Sequence, residues 1–442
     1  MLRAALTAEE ARFTNSHPRS LALFEQAKAH MLAGVPMNWM VRWVGRFPIF
    51  AAGGKGVHIT DVDGHDYLDL CLGDTGAMTG HAPEAATHAI HERAAIGNTF
   101  MLPTEDALWV STELARRFGL PYWQFALSAT DANRFAIRLA RAITKRPLIC
   151  VFNWCYHGTV DETFITLQGG VPRPRPGNLG MPVNPALTTR VIEFNDIDAL
   201  HAALAPGDVA CVLAEPAMTN IGIVHPEPGY HDALRQITRR TGTLLVIDET
   251  HTMCCGVGGF TRAHALQPDM LTVGKAIASG MPAAAYGLSA DIARRVTQLI
   301  MTDETDTSGI GGTLAGNALS LAVMRATLEH VLTDAAFAHT TALATRWVEG
   351  VRGVIQEFDL PWHVTQLGCR AEYWFIDHPP RNGGEAAARV DAELDRYMHL
   401  VALNRGILLT PFHNMALIGP DATEADIDWH TGMFREGVLA LV

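Results

Sequence analysis

The sequence has no excess of positive charge: 34 lysines and arginines stand against 46 aspartates and glutamates, a formal net charge of −12. Nucleic-acid binding needs a basic face that displaces phosphate counterions, so that class of function is set aside. There is no CxxC pair and no even, regular set of cysteines. The seven present (71, 150, 155, 211, 254, 255 and 369) are scattered, several of them inside strand-like runs. Such a pattern excludes a disulfide framework and fits reduced thiols. The adjacent pair Cys254-Cys255 lacks zinc-ligand spacing, so no metal is expected. Residues 1 to 10 show no secretory apolar segment or cleavage site, and no uncharged apolar run is long enough to span a membrane. A cytoplasmic location is the expectation. Internal repeats and low-complexity stretches are absent too. The glycine-rich Gly256-Val257-Gly258-Gly259-Phe260-Thr261 has threonine where a dinucleotide-binding fingerprint needs its third glycine, which argues against that fold.

What is present is a chain of 442 residues, 48% hydrophobic and 18% charged, ample for a buried core and long enough for two domains. Strand-like runs at 123–128, 148–153, 189–194, 209–215, 244–249, 270–273 and 283–288 alternate with helical patterns near 131–143, 197–205, 229–241 and 261–267. The alternation predicts an α/β domain with a mostly parallel, seven-stranded sheet covered on both faces. Ahead of it lie an amphipathic helix over 8–33, an aromatic-rich loop at 36–43 and a hairpin over 57–69 turning at Asp63-Gly64. Helical patterns at 83–97 and 104–118 follow the hairpin. The Pro/Gly-rich segment 169–187 reads as a long loop, of the kind that is more often functional than filler. A helix over about 315–331 leads to strands near 362–366, 369–376 and 407–410 and a last helix from Thr423. The expected division is 1–75 and 319–442 as a smaller α+β domain around a large domain at 76–318.

The chemistry concentrates between residues 244 and 275. Leu244-Leu245-Val246-Ile247-Asp248 reads as a buried strand ending in a carboxylate, which needs a cationic or donor partner there. Met270-Leu271-Thr272-Val273 is a second strand, delivering Gly274 and a single Lys275. A lysine in such a place is an amine nucleophile able to form a Schiff base. A carboxylate for a pyridinium nitrogen and a lysine for an aldehyde are what pyridoxal 5′-phosphate requires. The plainer alternative is an aspartate capping the next turn and an unrelated lysine. Ser128-Ala129-Thr130, where a strand turns into a helix, can cradle a phosphate or simply cap that helix. Tyr156-His157-Gly158, after the strand at 148–153, offers a flat ring at a strand end or a rim aromatic.

In this order and spacing these pieces resemble the class III aminotransferases, fold-type I pyridoxal phosphate enzymes, and within them the branch of glutamate-1-semialdehyde aminomutase and β-amino-acid aminotransferases. The likeness spans nearly the whole chain. It includes Asp61-Val62-Asp63-Gly64, Gly80-His81, Asn195-Asp196, Glu215-Pro216, Gly280-Met281-Pro282 and Gly312-Thr313-Leu314-Ala315-Gly316-Asn317. The resemblance implies that Lys275 bonds the cofactor aldehyde and then moves the substrate proton, and that Asp248 holds the ring nitrogen. It gives Tyr156 the ring face, with His157 beside it, and puts Ser128, Ala129 and Thr130 on the phosphate. Glu215 would order the Asp248 region. Thr313 would reach the phosphate of a neighbouring subunit, making the enzyme a homodimer with shared sites.

Three places depart from the family pattern. Ala129 replaces a usual glycine, Thr250-His251-Thr252 replaces Val-Met-Thr, and Thr410 stands where many amine transaminases carry an arginine. His251 lies close to the cofactor in this reading, as a tuning group or a hydrogen-bonded structural one. The segment around Thr410 also lacks the glutamate expected of the aminomutase. Arg42 aligns with an arginine that grips the substrate carboxylate, with Trp39 and Trp43 as apolar walls; the alternative is an arginine stacked on its tryptophans. His413 and Asn414 are further pocket candidates, while Arg370 and Glu372 are expected to pair with each other. The function expected from all this is amino transfer from an amino acid or amine to a keto acid or aldehyde, in two ping-pong half-reactions. The alternatives are an aminomutase or racemase, which returns nitrogen to the same skeleton, and a catalytically idle binding protein of the same fold.

Overall fold

The structure is a computed structural model and describes residues 2–180, 184–302 and 305–442. The chain divides into two compact units: the larger holds Glu84–Asp334 and Pro380–Ala388, the smaller the rest.

The larger unit is built on seven strands: β1 (Tyr122–Ala126), β2 (Leu148–Phe152), β3 (Thr189–Ile192), β4 (Val209–Ala214), β5 (Leu244–Asp248), β6 (Met270–Val273) and β7 (Ala284–Leu288). They pair in the order β1-β7-β6-β5-β4-β2-β3, and only β7 runs antiparallel to its neighbours. β4, β5, β6 and β7 are buried along their full length. Sequences such as Val209-Ala210-Cys211-Val212-Leu213-Ala214 therefore show a continuous apolar run, since side chains on both faces leave water. Helix Ala129–Thr144 lays Ala132, Ala136, Leu139 and Ala140 against the sheet core. Small alanines there let the helix approach closely. Parallel strands of this kind all bring their C-terminal ends to one edge, where ligands bind in such sheets.

The smaller unit pairs Ala51–Lys55, His58–Asp61 and Asp66–Asp69 as antiparallel neighbours, and Ile407–Leu408 adds parallel to the last of them. A second sheet joins His363–Leu367, Arg370–Trp374 and Met415–Leu417. The last helix, Glu424–Leu439, begins with a reciprocal Thr423–Asp426 capping box.

Several expectations change. The helix expected over 8–33 is two helices, Leu2–Ser16 and Pro18–Ala27, because Pro18 lacks the N–H that would continue the first. The helix expected at 261–267 stops at Ala263, since Ala265 takes a left-handed φ of 52° ahead of Pro268. Part of the loop 169–187 is strand, Val171–Pro174, paired with Ile165–Gln168; residues 181–183 lie outside the described residues. No helix of the described residues is long and apolar enough to cross a membrane. None of the seven cysteines forms a disulfide, and all but Cys255 are buried.

Candidate active site

The C-terminal edge of the sheet brings Asp248, Glu215, His157 and Lys275 to the ends of its strands. β5 and β6 are parallel neighbours with Asp248 opposite Thr272, so Lys275 emerges three residues past the level of Asp248 on the adjoining strand. Asp248 is buried, and its Oδ2 accepts from His157 Nδ1 at 2.9 Å and from Asn133 Nδ2 at 2.8 Å. The Thr250 N–H donates to Oδ1 at 3.0 Å. Burial alone would raise this carboxyl, but the bond and charge of His157, with the bonds from Thr250 and Asn133, outweigh it and hold Asp248 well below the usual carboxylate range. His157 moves the other way. Burial would lower it, but Cys155 and the Asp248 carboxylate beside it raise it above the ordinary histidine value. Glu215, at the end of β4, accepts from the Thr219 N–H at 3.1 Å through Oε2, while its Oε1 is buried without a partner. Burial pushes Glu215 up to about 7, against the opposing charge of His157 and the Thr219 bonds.

Lys275 is half-buried and takes a left-handed φ of 50°, an uncommon and strained state for a side chain of this type. Its Nζ lies 2.8 Å from Nε2 of His251. The loop carrying His251 is tightly held: buried Glu249 accepts from Phe260 N–H at 3.1 Å and also from Thr252 Oγ1 and Thr261 N–H.

Ser128 caps helix Ala129–Thr144, accepting from the Asp131 N–H, and its hydroxyl donates to Asp131 Oδ2 at 2.9 Å. The helix opens its first N–H groups at this end, with no carbonyl of its own helix to meet them. Thr130 Oγ1 accepts from the Thr159 N–H at 3.0 Å, and Gly158 presses so close that a Cβ there would lie 2.0 Å from the same oxygen. Tyr156 is half-buried, its ring 6.3 Å from Phe164. Gly274 makes room for Ala129: a Cβ at 274 would come 3.1 Å from the Ala129 methyl. An amine, a carboxylate kept anionic inside the protein, a flat ring and a helix N-terminus form the donor set that a pyridine aldehyde with a phosphate arm requires.

Ser128, Ala129, Thr130, Tyr156, His157, Glu215, Asp248 and Lys275 thus all lie in the larger unit, and the bonds above tie the Asp248 and Thr130 groups through the 156–159 loop. Thr313 is also in that unit, exposed in a turn closed by the Ala315 N–H on Gly312 O. Arg42, Trp39 and His413 belong to the smaller unit. There Arg42 ends the turn Asn38–Arg42, and Trp39 meets Phe412 edge-on with ring centres 5.8 Å apart. His413 Nδ1 lies 3.8 Å from Glu372 Oε1. Asn414 instead donates to Asp395 Oδ1 at 2.6 Å, and Arg370 donates to Met415 Sδ at 2.8 Å and to Thr75 Oγ1. Asn133 is the residue that sequence reasoning passed over. Fully buried, it donates to Asp248 and to His157 O and accepts from Thr272 Oγ1. Its place one turn inside the Ser128 cap, an uncharged polar group on an otherwise apolar face, is the signal that was available. His17, Asp61 and His65 also come together in the smaller unit, where the Tyr67 hydroxyl donates to Asp61 Oδ2 at 2.8 Å.

Known proteins resemble this chain along nearly its whole length. The family model for class-III aminotransferases matches residues 39–418. The glutamate-1-semialdehyde 2,1-aminomutase of Chloroflexus aggregans is 34% identical over 432 residues, covering 94% of this chain and 96% of its own length. A crystal structure described as a glutamate-1-semialdehyde-aminomutase from Pseudomonas aeruginosa is 48% identical, with a TM-score of 0.98 over 100% of this chain and 98% of that one. A variant of it in complex with PMP matches at 47% identity. The β-phenylalanine aminotransferase of Variovorax paradoxus is 26% identical, with a TM-score of 0.86 over 100% of this chain and 98% of its own.

Proposed function

The chain belongs to the class-III aminotransferase family, fold-type I enzymes that work with pyridoxal 5′-phosphate, and on that premise we propose that it moves the amino group of a small carboxylate-bearing substrate, with Lys275 as the amine that carries the proton. The observation that carries this reading is the placement of Lys275 and an anionic, buried Asp248 at the ends of neighbouring parallel strands. When bound, the cofactor's electron-poor ring acidifies the C–H beside the substrate nitrogen. Asp248 supplies the negative charge that keeps a ring nitrogen protonated, and Asn133 and His157 fix its oxygens. Lys275 accepts the proton from the substrate carbon and returns it at another position. Tyr156 flanks the ring; Ser128, Ala129 and Thr130 hold the phosphate at the helix N-terminus. Glu215 stands behind Asp248. Arg42 grips the substrate carboxylate, and Trp39 and His413 line the pocket, a grouping supported by the contact of Trp39 with Phe412.

The weight of the relatives favours an aminomutase outcome, nitrogen returning to the same carbon skeleton, over the ping-pong aminotransferase expected from the sequence. The second reading, transfer between two molecules, is favoured by the absence of the aminomutase's glutamate from the segment around Thr410. Incubation with 15N-labelled glutamate 1-semialdehyde and unlabelled 2-oxoglutarate separates them. Label moved to the former aldehyde carbon of the same skeleton supports the first, label appearing in glutamate the second, and label that stays on its original carbon removes both. A homodimer and a cytoplasmic location complete the proposal. Support for the dimer comes from large apolar side chains exposed in the larger unit, among them Met101 at 76% and Leu102 at 72%, with Leu314 at 48% next to Thr313.

A further inference from the structure

We propose that His251 is a proton-relay residue acting through Lys275: the proton that the lysine amine takes up is passed to Nε2 of His251 and handed back from it. The inference rests on the reading of Lys275 as the site's amine. Nζ and Nε2 are 2.8 Å apart, the distance of a direct hydrogen bond, and both side chains are half-buried at the sheet edge. Two neutral bases at that distance share one proton. Either the ammonium donates to the bare Nε2, or Nε2–H donates to the amine lone pair, and passage between the two states moves one proton and breaks no other bond. The imidazolium so formed keeps its second proton on Nδ1.

Both ends of this pair are held in place. Lys275 is fixed by a strained positive φ, which fold positions seldom keep without a use. His251 sits between two anchors: Asp248 Oδ1 receives the Thr250 N–H, and Glu249 receives the Thr252 hydroxyl and two N–H groups across the loop. The Met253 N–H closes the turn on Glu249 O at 2.8 Å. The other titratable groups of this edge are accounted for separately: Asp248 with His157, Glu215 with Thr219, and Glu249 with its own loop. Cys254 and Cys255 follow on the same turn. A histidine within reach lets Lys275 be recharged and discharged without opening the site to water. That suits a substrate whose amino and carbonyl carbons must be protonated and deprotonated in turn.

The test uses the cofactor-free protein, so that it reads the pair and not turnover. The chain has four lysines, Lys28, Lys55, Lys145 and Lys275, and the first three are exposed internal standards. Labelling by trinitrobenzenesulfonate is followed by peptide mass mapping between pH 5 and pH 9 in wild type, H251Q and H251F. Glutamine keeps a hydrogen bond to Nζ but carries no proton; phenylalanine keeps neither. The expected result is that Lys275 labels at least about tenfold slower at pH 7 in both variants, with loss of an inflection in the histidine range, the three other lysines being unchanged. The rate at which each protein captures added pyridoxal phosphate, read from its visible band, is expected to fall in parallel. Equal Lys275 labelling in all three proteins overturns the relay. Slowing in H251F alone also overturns it, leaving His251 as a positioning residue. If wild type labels as expected but captures no cofactor, the proposed function fails while the pairing stands.

Discussion

Replacing Asn133 by alanine removes one amide that donates to Asp248 and to the His157 carbonyl and accepts from Thr272. Buried groups left without partners cost about 1–3 kcal/mol each, so Asn133→Ala is expected to lower unfolding free energy by at least about 2 kcal/mol in denaturant titration. A change below about 0.5 kcal/mol would mean the amide is not integral to the site. His157 and Asp248 give a pH dependence. His157 is held above its ordinary 6.5, so its contribution to the cofactor-free fold is complete below that pH and is lost as the pH climbs toward the raised value. Asp248 is held below 3.8, so its contribution is present above that pH and lost as the pH falls toward the lowered value. The two contribute together between about pH 4 and pH 6.5. His157→Gln is expected to lower Tm within that window and to flatten the decline of Tm above it, an outcome that thermal melts at closely spaced pH values check. The roles proposed for Asp248 and Lys275 were legible because one ends a short apolar strand and the other follows one by two residues, where an ionisable group stands out. Asn133 was not, because its three partners come from β5, β6 and the loop after β2, and one-dimensional spacing does not show that convergence.

The glycine ahead of Lys275 shows how elements constrain the site. Gly274 faces Ala129 at the start of the phosphate-side helix and Ala284 of β7; a Cβ there would sit 3.1 Å and 3.3 Å from their methyls. Gly274→Ala is therefore expected to push the helix start from β6, costing about 1–3 kcal/mol and weakening cofactor affinity, measured by equilibrium dialysis. Gly274→Ala combined with Ala129→Gly restores the space and is expected to recover much of the loss; no recovery would place the defect elsewhere. The buried strands were legible to within two residues, because a sheet covered on both faces leaves an uninterrupted apolar run in the sequence. Helix ends were less so. The break at His17-Pro18 is written in the proline, yet apolar residues on both sides keep one helical spacing and mask it. The short helix Gly259–Ala263 is followed two residues later by a left-handed alanine, Ala265, which no residue preference announces.

At the scale of the whole molecule, Thr313 is the residue that this chain alone does not explain. It is exposed, beside exposed Leu314, and the Leu319 N–H on Asn98 O brings its segment near Met101 and Leu102. The proposed dimer predicts a sedimentation mass of twice 48.0 kDa, and Leu102→Glu is expected to shift it toward the monomer. In that dimer Thr313→Ala should weaken cofactor binding roughly tenfold, the worth of one hydrogen bond to a charged group, without changing the mass. The most direct test of the central claim is borohydride reduction of the purified enzyme followed by mass mapping of its four lysine peptides. The account predicts a reduced pyridoxyl phosphate adduct on Lys275 and on no other lysine; an adduct on Lys28, Lys55 or Lys145 instead, or none at all, would contradict it.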